Sequence, residues 1–312
     1  MYTRYFVALE VLAFAFSPIA AWNTDVHQQI GYMAENFLTS YTSDILGEIL
    51  ESQYNKSIGL AAAWADAYAH TKEGRYSYQW HWIDAHDNPP TYCHVDYKYD
   101  CAKGGCIVSA IANQTEILRG CIDNVKNGLL SGGSNMTCSN ALKWVTHFVG
   151  DIAQPLHSSG LGNGGNLFNV TFGGKRTELH AVWDGEIIYA DAGVTVFPNA
   201  SIHPFMINLV DRINKDSFSV PTSEWLSCTN PNTPQQCALA WARDSNTWTC
   251  RYVYKYAYNN TDLLESGYAK GAYPIVELQI SKAALRLGTW LNILVGKELN
   301  KGSGLVLQRP LS

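Results

Sequence analysis

The chain has 312 residues, of which 46% are hydrophobic and 16% charged, and a formal net charge of −5. That is enough apolar material for one large domain or two small ones, and the absence of any Lys/Arg block argues against duplex nucleic-acid affinity driven by the protein's own charges. The eight cysteines include no C-x-x-C pair, which favours disulfides in an oxidising compartment over a thiolate zinc site.

Residues 1–21 carry Arg4, an apolar run from Phe6 to Phe16 broken only by Glu10, then Pro18 and small residues. The run is far short of the roughly 20 residues that span a bilayer and reads as a secretory signal peptide. Cleavage after Ala21 leaves Trp22 as the mature N-terminus. No repeat or low-complexity linker divides the rest of the chain, so residues 22–300 are expected to form one domain and 301–312 a C-terminal tail.

Val26, Ile30, Met33 and Phe37 form a helical stripe. Val276, Ile280, Ala284, Leu287 and Leu291 form another, with Pro274 at a plausible first helical position. Between them the stretch "HFVGDIAQPLH", His147 to His157, sets His147 and Asp151 at i, i+4 on one helix face. Leu142, Val145, Val149 and Ile152 take the opposite, apolar face, and Pro155 ends or kinks the helix. The Gly/Asn-rich stretch from Ser158 to Asn166 precedes a strand-like NVTF (Asn169 to Phe172), which suggests a hairpin in an otherwise α protein. Cys101 and Cys106 are natural local partners. Six Asn-x-Ser/Thr sequons, at Asn55, Asn113, Asn135, Asn169, Asn199 and Asn259, suit a eukaryotic secretory route and glycosylation.

Taken one at a time, the histidines have ordinary explanations in capping, ion pairing or core packing. Taken together, His27, Asp66, His81, His147, Asp151, His157, His180 and Asp184 repeat a pairing of imidazole with carboxylate, and His180 and Asp184 repeat the i, i+4 device. That donor set suits zinc and is poorly matched to hard oxygen-seeking ions such as calcium.

The motifs W-x4-H (Trp22, His27), W-A-D (Trp64 to Asp66), H-W-I-D-A-x-D-N-P-P (His81 to Pro90), H-F-x-G-D-x3-P-L-H (His147 to His157), G-G-N (Gly164 to Asn166) and L-H-x2-W-D (Leu179 to Asp184) resemble those of the secreted zinc-dependent single-strand nucleases and 3′-nucleotidases of fungi and plants, the type I nucleases. The resemblance runs from Trp22 to about Leu299. It implies a mainly α, single-domain phospholipase C/type I nuclease fold with a short β-hairpin and a cleft holding three zinc ions. Carried over by position, Asp66, His81, His147 and Asp151 hold one zinc. Asp151 bridges to a second, held by the α-amine and carbonyl of Trp22 and by His27, and His157, His180 and Asp184 hold the third. Asp66, Asp151 and Asn166 are the implied catalytic residues. Trp82 and Asp84, with Asn166, bind substrate, Trp82 by stacking on an unpaired base and Asp84 by accepting from its edge. The implied disulfides are Cys93–Cys250 and Cys101–Cys106, with Cys121–Cys138 and Cys228–Cys237 for the remaining four.

Function follows by the same implication: a secreted, extracellular endonuclease in which zinc-activated hydroxide attacks the phosphodiester of single-stranded DNA or RNA, leaving 5′-phosphates, with 3′-nucleotidase activity besides. No membrane and no stable protein partner are implied, and a monomer is expected. One departure stands out. The family usually has Arg or Lys three residues after the first zinc-binding aspartate, and here that position is Ala69, with His70, Lys72 and Arg75 out of register. Two other readings compete: a zinc-dependent phospholipase C, which resembles the same three-zinc architecture, and a secreted zinc-binding protein without catalysis.

Overall fold

The computed structural model describes residues 22–194, 201–255 and 262–296. The expected signal peptide (1–21), the sequon residues Asn199 and Asn259 and the expected C-terminal tail (301–312) lie outside them. In chain order come α1 (Thr24–Glu35), α2 (Ser40–Ile49), α3 (Ile58–Ala61), α4 (Trp64–Ala69), a 3-10 segment (Arg75–His81), α5 (Tyr97–Asp100), α6 (Ile107–Lys126) and α7 (Met136–Asp151). A 3-10 turn (Pro155–Ser158), strands β1 (Asn169–Phe172) and β2 (Lys175–Glu178), and α8 (Leu179–Ala181) come next. A π-turn (Val182–Glu186) then leads into α9 (Ile187–Asp191), α10 (His203–Asn214), α11 (Thr222–Trp225), α12 (Pro234–Trp248) and α13 (Tyr268–Val295). The fold is mainly α, and the strand-like NVTF is β1, antiparallel to β2 with Val170 opposite Thr177. Among the described residues no helix is long and apolar enough to cross a membrane.

Two apolar cores lie side by side. One gathers Leu46, Ile111, Leu118, Val145, Phe148 and Trp241 from α2, α6, α7 and α12. The other gathers Val26, Ile30, Trp183, Met206, Val276 and Ile280 from α1, the 180s segment, α10 and α13. Helix α13 contributes its first part to the second core and its last turns, through Leu287, Trp290 and Leu291, to the first. Helix α1 meets α3 at two glycines: a Cβ on Gly31 would lie 2.6 Å from Gly59 Cα, so the backbones touch only because neither residue has a side chain.

One expectation is corrected. Helix α13 begins at Tyr268, not Pro274, which sits inside it. Its first turn is held by tertiary bonds: Trp183 Nε1 donates to the Tyr268 hydroxyl at 3.0 Å, which donates to Val253 O at 3.0 Å. These outweigh the local cost of proline within a helix. Helix α7 carries the expected apolar stripe of Leu142, Val145, Val149 and Ile152, with His147 and Asp151 on its other side. It is buried all round from Ala141 to Asp151, with His147 and Asp151 facing α1 across the seam between the cores rather than solvent.

Four disulfides form, Cys93–Cys250, Cys101–Cys106, Cys121–Cys138 and Cys228–Cys237, matching the pairings the resemblance implied. The sequon residues Asn55, Asn113, Asn135 and Asn169 are all exposed.

Candidate metal centre

The seam between the cores gathers the histidines and aspartates singled out from sequence. Asn135 caps α7 by accepting from Cys138 N at 3.2 Å, and at the far end of the helix His147 and Asp151 stand one turn apart. Asp151 divides its carboxylate. Oδ1 lies 3.0 Å from His27 Nε2 on α1, while Oδ2 lies 3.1 Å from His147 Nε2 and 3.2 Å from His81 Nδ1. Asp66, on α4, brings Oδ1 to 3.3 Å from His147 Nε2 and 3.5 Å from His81 Nδ1. The His27 and His147 rings stack with centroids 3.8 Å apart. Trp22 is buried against this group, its indole donating to Gly150 O at 2.9 Å, and Asn23 N donates to Asp184 O at 3.0 Å.

A second gathering lies alongside. His157, in the 3-10 turn that starts at Pro155, faces His180 with their Nε2 atoms 3.2 Å apart, and Asp184 Oδ2 is 3.4 Å from His180 Nε2. The i, i+4 pair of His180 and Asp184 is set across α8 and the π-turn rather than on a regular α-helix, a local widening often found where a helix presents functional groups. The two gatherings are strapped together, because His157 Nδ1 donates to His81 O at 2.8 Å and Ile83 N donates to His157 O at 2.9 Å.

These residues fit divalent cations. Three groups bring their donor atoms within one ion's reach: His27 with His147 and Asp151, Asp66 with His81 and His147, and His157 with His180 and Asp184. Buried polar atoms that should carry hydrogen bonds lack them, namely His27 Nε2, His81 Nε2, Asp66 Oδ2 and Asp151 Oδ1. His27 Nε2 and Asp151 Oδ1 come within 3.0 Å without hydrogen-bond geometry, as expected of two groups aimed at a shared third point. Meanwhile the Nδ1 atoms of His147, His157 and His180 donate to the carbonyls of Ala62, His81 and Gly164. This turns each Nε2 lone pair inward, the usual orienting device behind metal-bound histidine.

Charge points the same way. Burial, then the neighbouring His147, lowers the pKa of His27. Burial also lowers His157 and, with His157 beside it, takes His180 down to about 3, so both rings are neutral and able to ligate at neutral pH. At Asp151 burial favours the protonated acid but His147 and His27 outweigh it, and the carboxyl lies well below its usual range. His147 is raised in turn, since Asp151 and Asp66 overcome its burial. At Asp184 burial outweighs the hydrogen bond from Gln154 and pushes the carboxyl well up.

Trp82, Asp84, Asn166, His157 and His180 line one pocket that opens beside these groups. Trp82 Nε1 donates to Asp84 Oδ2 at 3.1 Å, and Tyr78 packs edge-on to Trp82 at 5.1 Å. Burial raises the Asp84 carboxyl. Asn166 Nδ2 donates to Asn163 O at 2.8 Å, which fixes the amide at the pocket wall. Ala69 is buried at the end of α4, while His70 beside it is exposed with its ring 5.6 Å from Tyr78.

Sequence reasoning missed Gln154. Its Nε2 donates to Asp184 Oδ1 at 2.7 Å and its Oε1 accepts from Leu156 N at 2.6 Å, so it orients a carboxylate of the third group. The available signal was a lone amide among apolar residues in "IAQPL".

Residues 22–296 match the family model described as S1/P1 nuclease. The chain is similar to Nuclease S1 of Aspergillus oryzae, 34% identical over 88% of this chain and 92% of the relative. It is 33% identical to Nuclease P1 of Penicillium citrinum, over 90% of this chain and 100% of the relative. Endonuclease 3 of Arabidopsis thaliana is 28% identical, over 92% and 93% of the two chains.

Proposed function

Because this chain belongs to the S1/P1 nuclease family and is a phosphodiester hydrolase, we propose that it is a secreted, zinc-dependent endonuclease. Its proposed substrates are single-stranded DNA and RNA, cut to 5′-phosphate products, and 3′-nucleotides. The observation that carries the reading is the divided carboxylate of Asp151, one oxygen turned to His27 and the other to His147 and His81. Buried acids held ionised between imidazoles are costly unless cations accompany them.

Asp66, His81, His147 and Asp151 would hold one zinc. Asp151 would share a second with His27 and the backbone of Trp22, and His157, His180 and Asp184 would hold a third. Zinc bound there supplies Lewis acidity towards water and phosphoryl oxygens. The chain's own contribution is position and exclusion. Asn166 spends one amide hydrogen on Asn163 O and keeps a second for a phosphoryl oxygen. Trp82 supplies a stacking face, and the bond from its indole holds Asp84 Oδ2, leaving Oδ1 to accept from a base edge. A paired base has that edge occupied, which gives the preference for single strands. The four disulfides and the exposed sequon residues support export.

Hydrolysis of denatured DNA, RNA, duplex DNA, 3′-nucleotides and a phosphatidylcholine emulsion by one zinc-loaded sample tests the reading. Turnover of both single-stranded polymers and of 3′-nucleotides, with duplex DNA slow and 5′-phosphates on the products, is expected. Turnover of the phospholipid alone, or of nothing, would overturn it.

A further inference from the structure

Burial alternates along the segment that leaves the cleft. Ile83 and Ala85 are 0% and 3% exposed, while Trp82, Asp84 and His86 face outwards, so alternate side chains share the open side. Trp82 and Asp84 line the cleft pocket. His86, next in that row, lines a separate groove of about 480 Å³ with Tyr92, His94, Asp96, Tyr99 and Asp100.

The groove is aromatic and open. Tyr92 and Tyr99 are 58% and 70% exposed, unusual for rings that normally bury most of their area. Tyr92 stacks with His94 at a centroid distance of 6.0 Å, and the Lys98 ammonium lies 5.5 Å from the centre of the Tyr99 ring. Its base is fixed. Asp100, 7% exposed, accepts from Asp96 N at 2.7 Å, from His86 N at 3.0 Å and from the His86 ring at 2.9 Å. The imidazole is thereby anchored through Nδ1 while its side chain remains 74% exposed. Asp96 Oδ1 accepts from Lys98 N at 2.9 Å. Asp100 is therefore engaged through both oxygens and Asp96 through Oδ1 by the chain's own donors, and the lining offers a visitor two rings and two imidazoles, with the Lys98 ammonium beside Tyr99. These side chains form no metal-holding group: the three such groups among the described residues are all at the cleft.

Exposed rings offer stacking faces to any unpaired base, and the His94 imidazole and the Lys98 ammonium can donate to the phosphodiester between bases, while His86, its Nδ1 bound to Asp100, adds a further ring face. We propose that this groove is a second nucleotide subsite, taking a neighbouring nucleotide of the strand whose base is held at Trp82 and Asp84. The enzyme would then favour oligonucleotides over single nucleotides. The proposal rests on the nuclease reading of the cleft.

The test compares zinc-loaded wild type with Tyr92→Ala/Tyr99→Ala, His86→Ala and Tyr92→Phe/Tyr99→Phe. The readouts are kcat/KM on a single-stranded decanucleotide and on a 3′-mononucleotide, and the Kd of a phosphorothioate decanucleotide by fluorescence anisotropy. For the double alanine variant the Kd is expected to rise about tenfold, equivalent to about 1.4 kcal/mol, and the ratio of oligonucleotide to mononucleotide kcat/KM to fall by a similar factor. His86→Ala should show a smaller change in the same direction, and the phenylalanine pair, which keeps both stacking faces, should bind like wild type. An unchanged Kd, or equal losses on both substrates, would overturn the subsite. Wild type inactive on both substrates would sink the nuclease reading instead, and the anisotropy series would still report on the groove.

Discussion

The Nε2 atoms of His157 and His180 face each other across 3.2 Å, while the Nδ1 atoms of the two rings donate to His81 O and Gly164 O. A neutral imidazole has one N–H, so two lone pairs oppose each other in a place where burial keeps both rings neutral. A divalent cation turns that repulsion into ligation. Chelation should therefore lower the melting temperature and zinc should restore it. One site held at a hundred times its Kd contributes about 2.7 kcal/mol, or about 4 °C for a chain of this size. Superimposable melting curves with and without chelator would show that these groups hold no stabilising ion.

Asp151→Asn keeps the shape of the side chain but removes the charge shared between His27 on one oxygen and His147 and His81 on the other. Zinc at the paired groups should be lost together and turnover should fall by at least a hundredfold. Asp84→Asn should keep its metals, since Asp84 lies on the pocket wall, bonded to the Trp82 indole, and should change base preference. Zinc content and hydrolysis of denatured DNA, measured side by side, decide between the roles. Full zinc and normal turnover in Asp151→Asn would make its bridging role untenable, and zinc loss in Asp84→Asn would move that residue into the metal shell.

The side chains of this centre were legible in part because i, i+4 spacing on a helix leaves little freedom: His147 with Asp151 could hardly fail to meet on α7, whereas His180 and Asp184 meet across a π-turn that the spacing does not reveal. What aims them was not legible. The carbonyls of Ala62, His81 and Gly164 fix three of the imidazoles, and a backbone carbonyl has no residue identity to read. The apolar stripe on α7 was real, yet the polar side proved equally buried, since periodicity says which residues share a face and not what packs against it. Pro274 misplaced the start of α13 because the bonds that hold the preceding turn reach from Trp183 and to Val253, distant in sequence.

Gly150 is a test of tight packing behind His27. A Cβ there would lie 3.2 Å from His27 Nδ1, and the stacked His147 ring at 3.8 Å limits the room His27 has to move. Gly150→Ala should leave the protein folded, because alanine favours a helix interior by about 1 kcal/mol over glycine. It should weaken zinc at the paired groups about tenfold to a hundredfold, the usual cost of disturbing a ligand's support, and spare the third. Zinc titration by calorimetry resolves this. Wild-type affinity at every site would show that His27 is not held where the metal reading needs it.

Asp191 gives a pH dependence away from the metal groups. Burial, then Glu277, pushes its carboxyl from the usual 3.8 up to about 6, against the pull of Arg212, which is itself paired with Glu277 at 2.9 Å. An acid whose folded pKa is raised binds its proton more tightly when folded, so stability falls as pH rises between those two values and the penalty is complete above the upper one. Asp191→Asn cannot ionise. It should be more stable than wild type at neutral pH, by about 1 kcal/mol or less because the side chain is partly exposed and screened, with the difference vanishing near pH 4. Urea unfolding of both proteins across that window measures it, and the metal-ligand protonation they share cancels in the difference. An advantage that grows towards acid pH would show that Asp191 is stabilised as the anion, with Arg212 rather than Glu277 governing its charge.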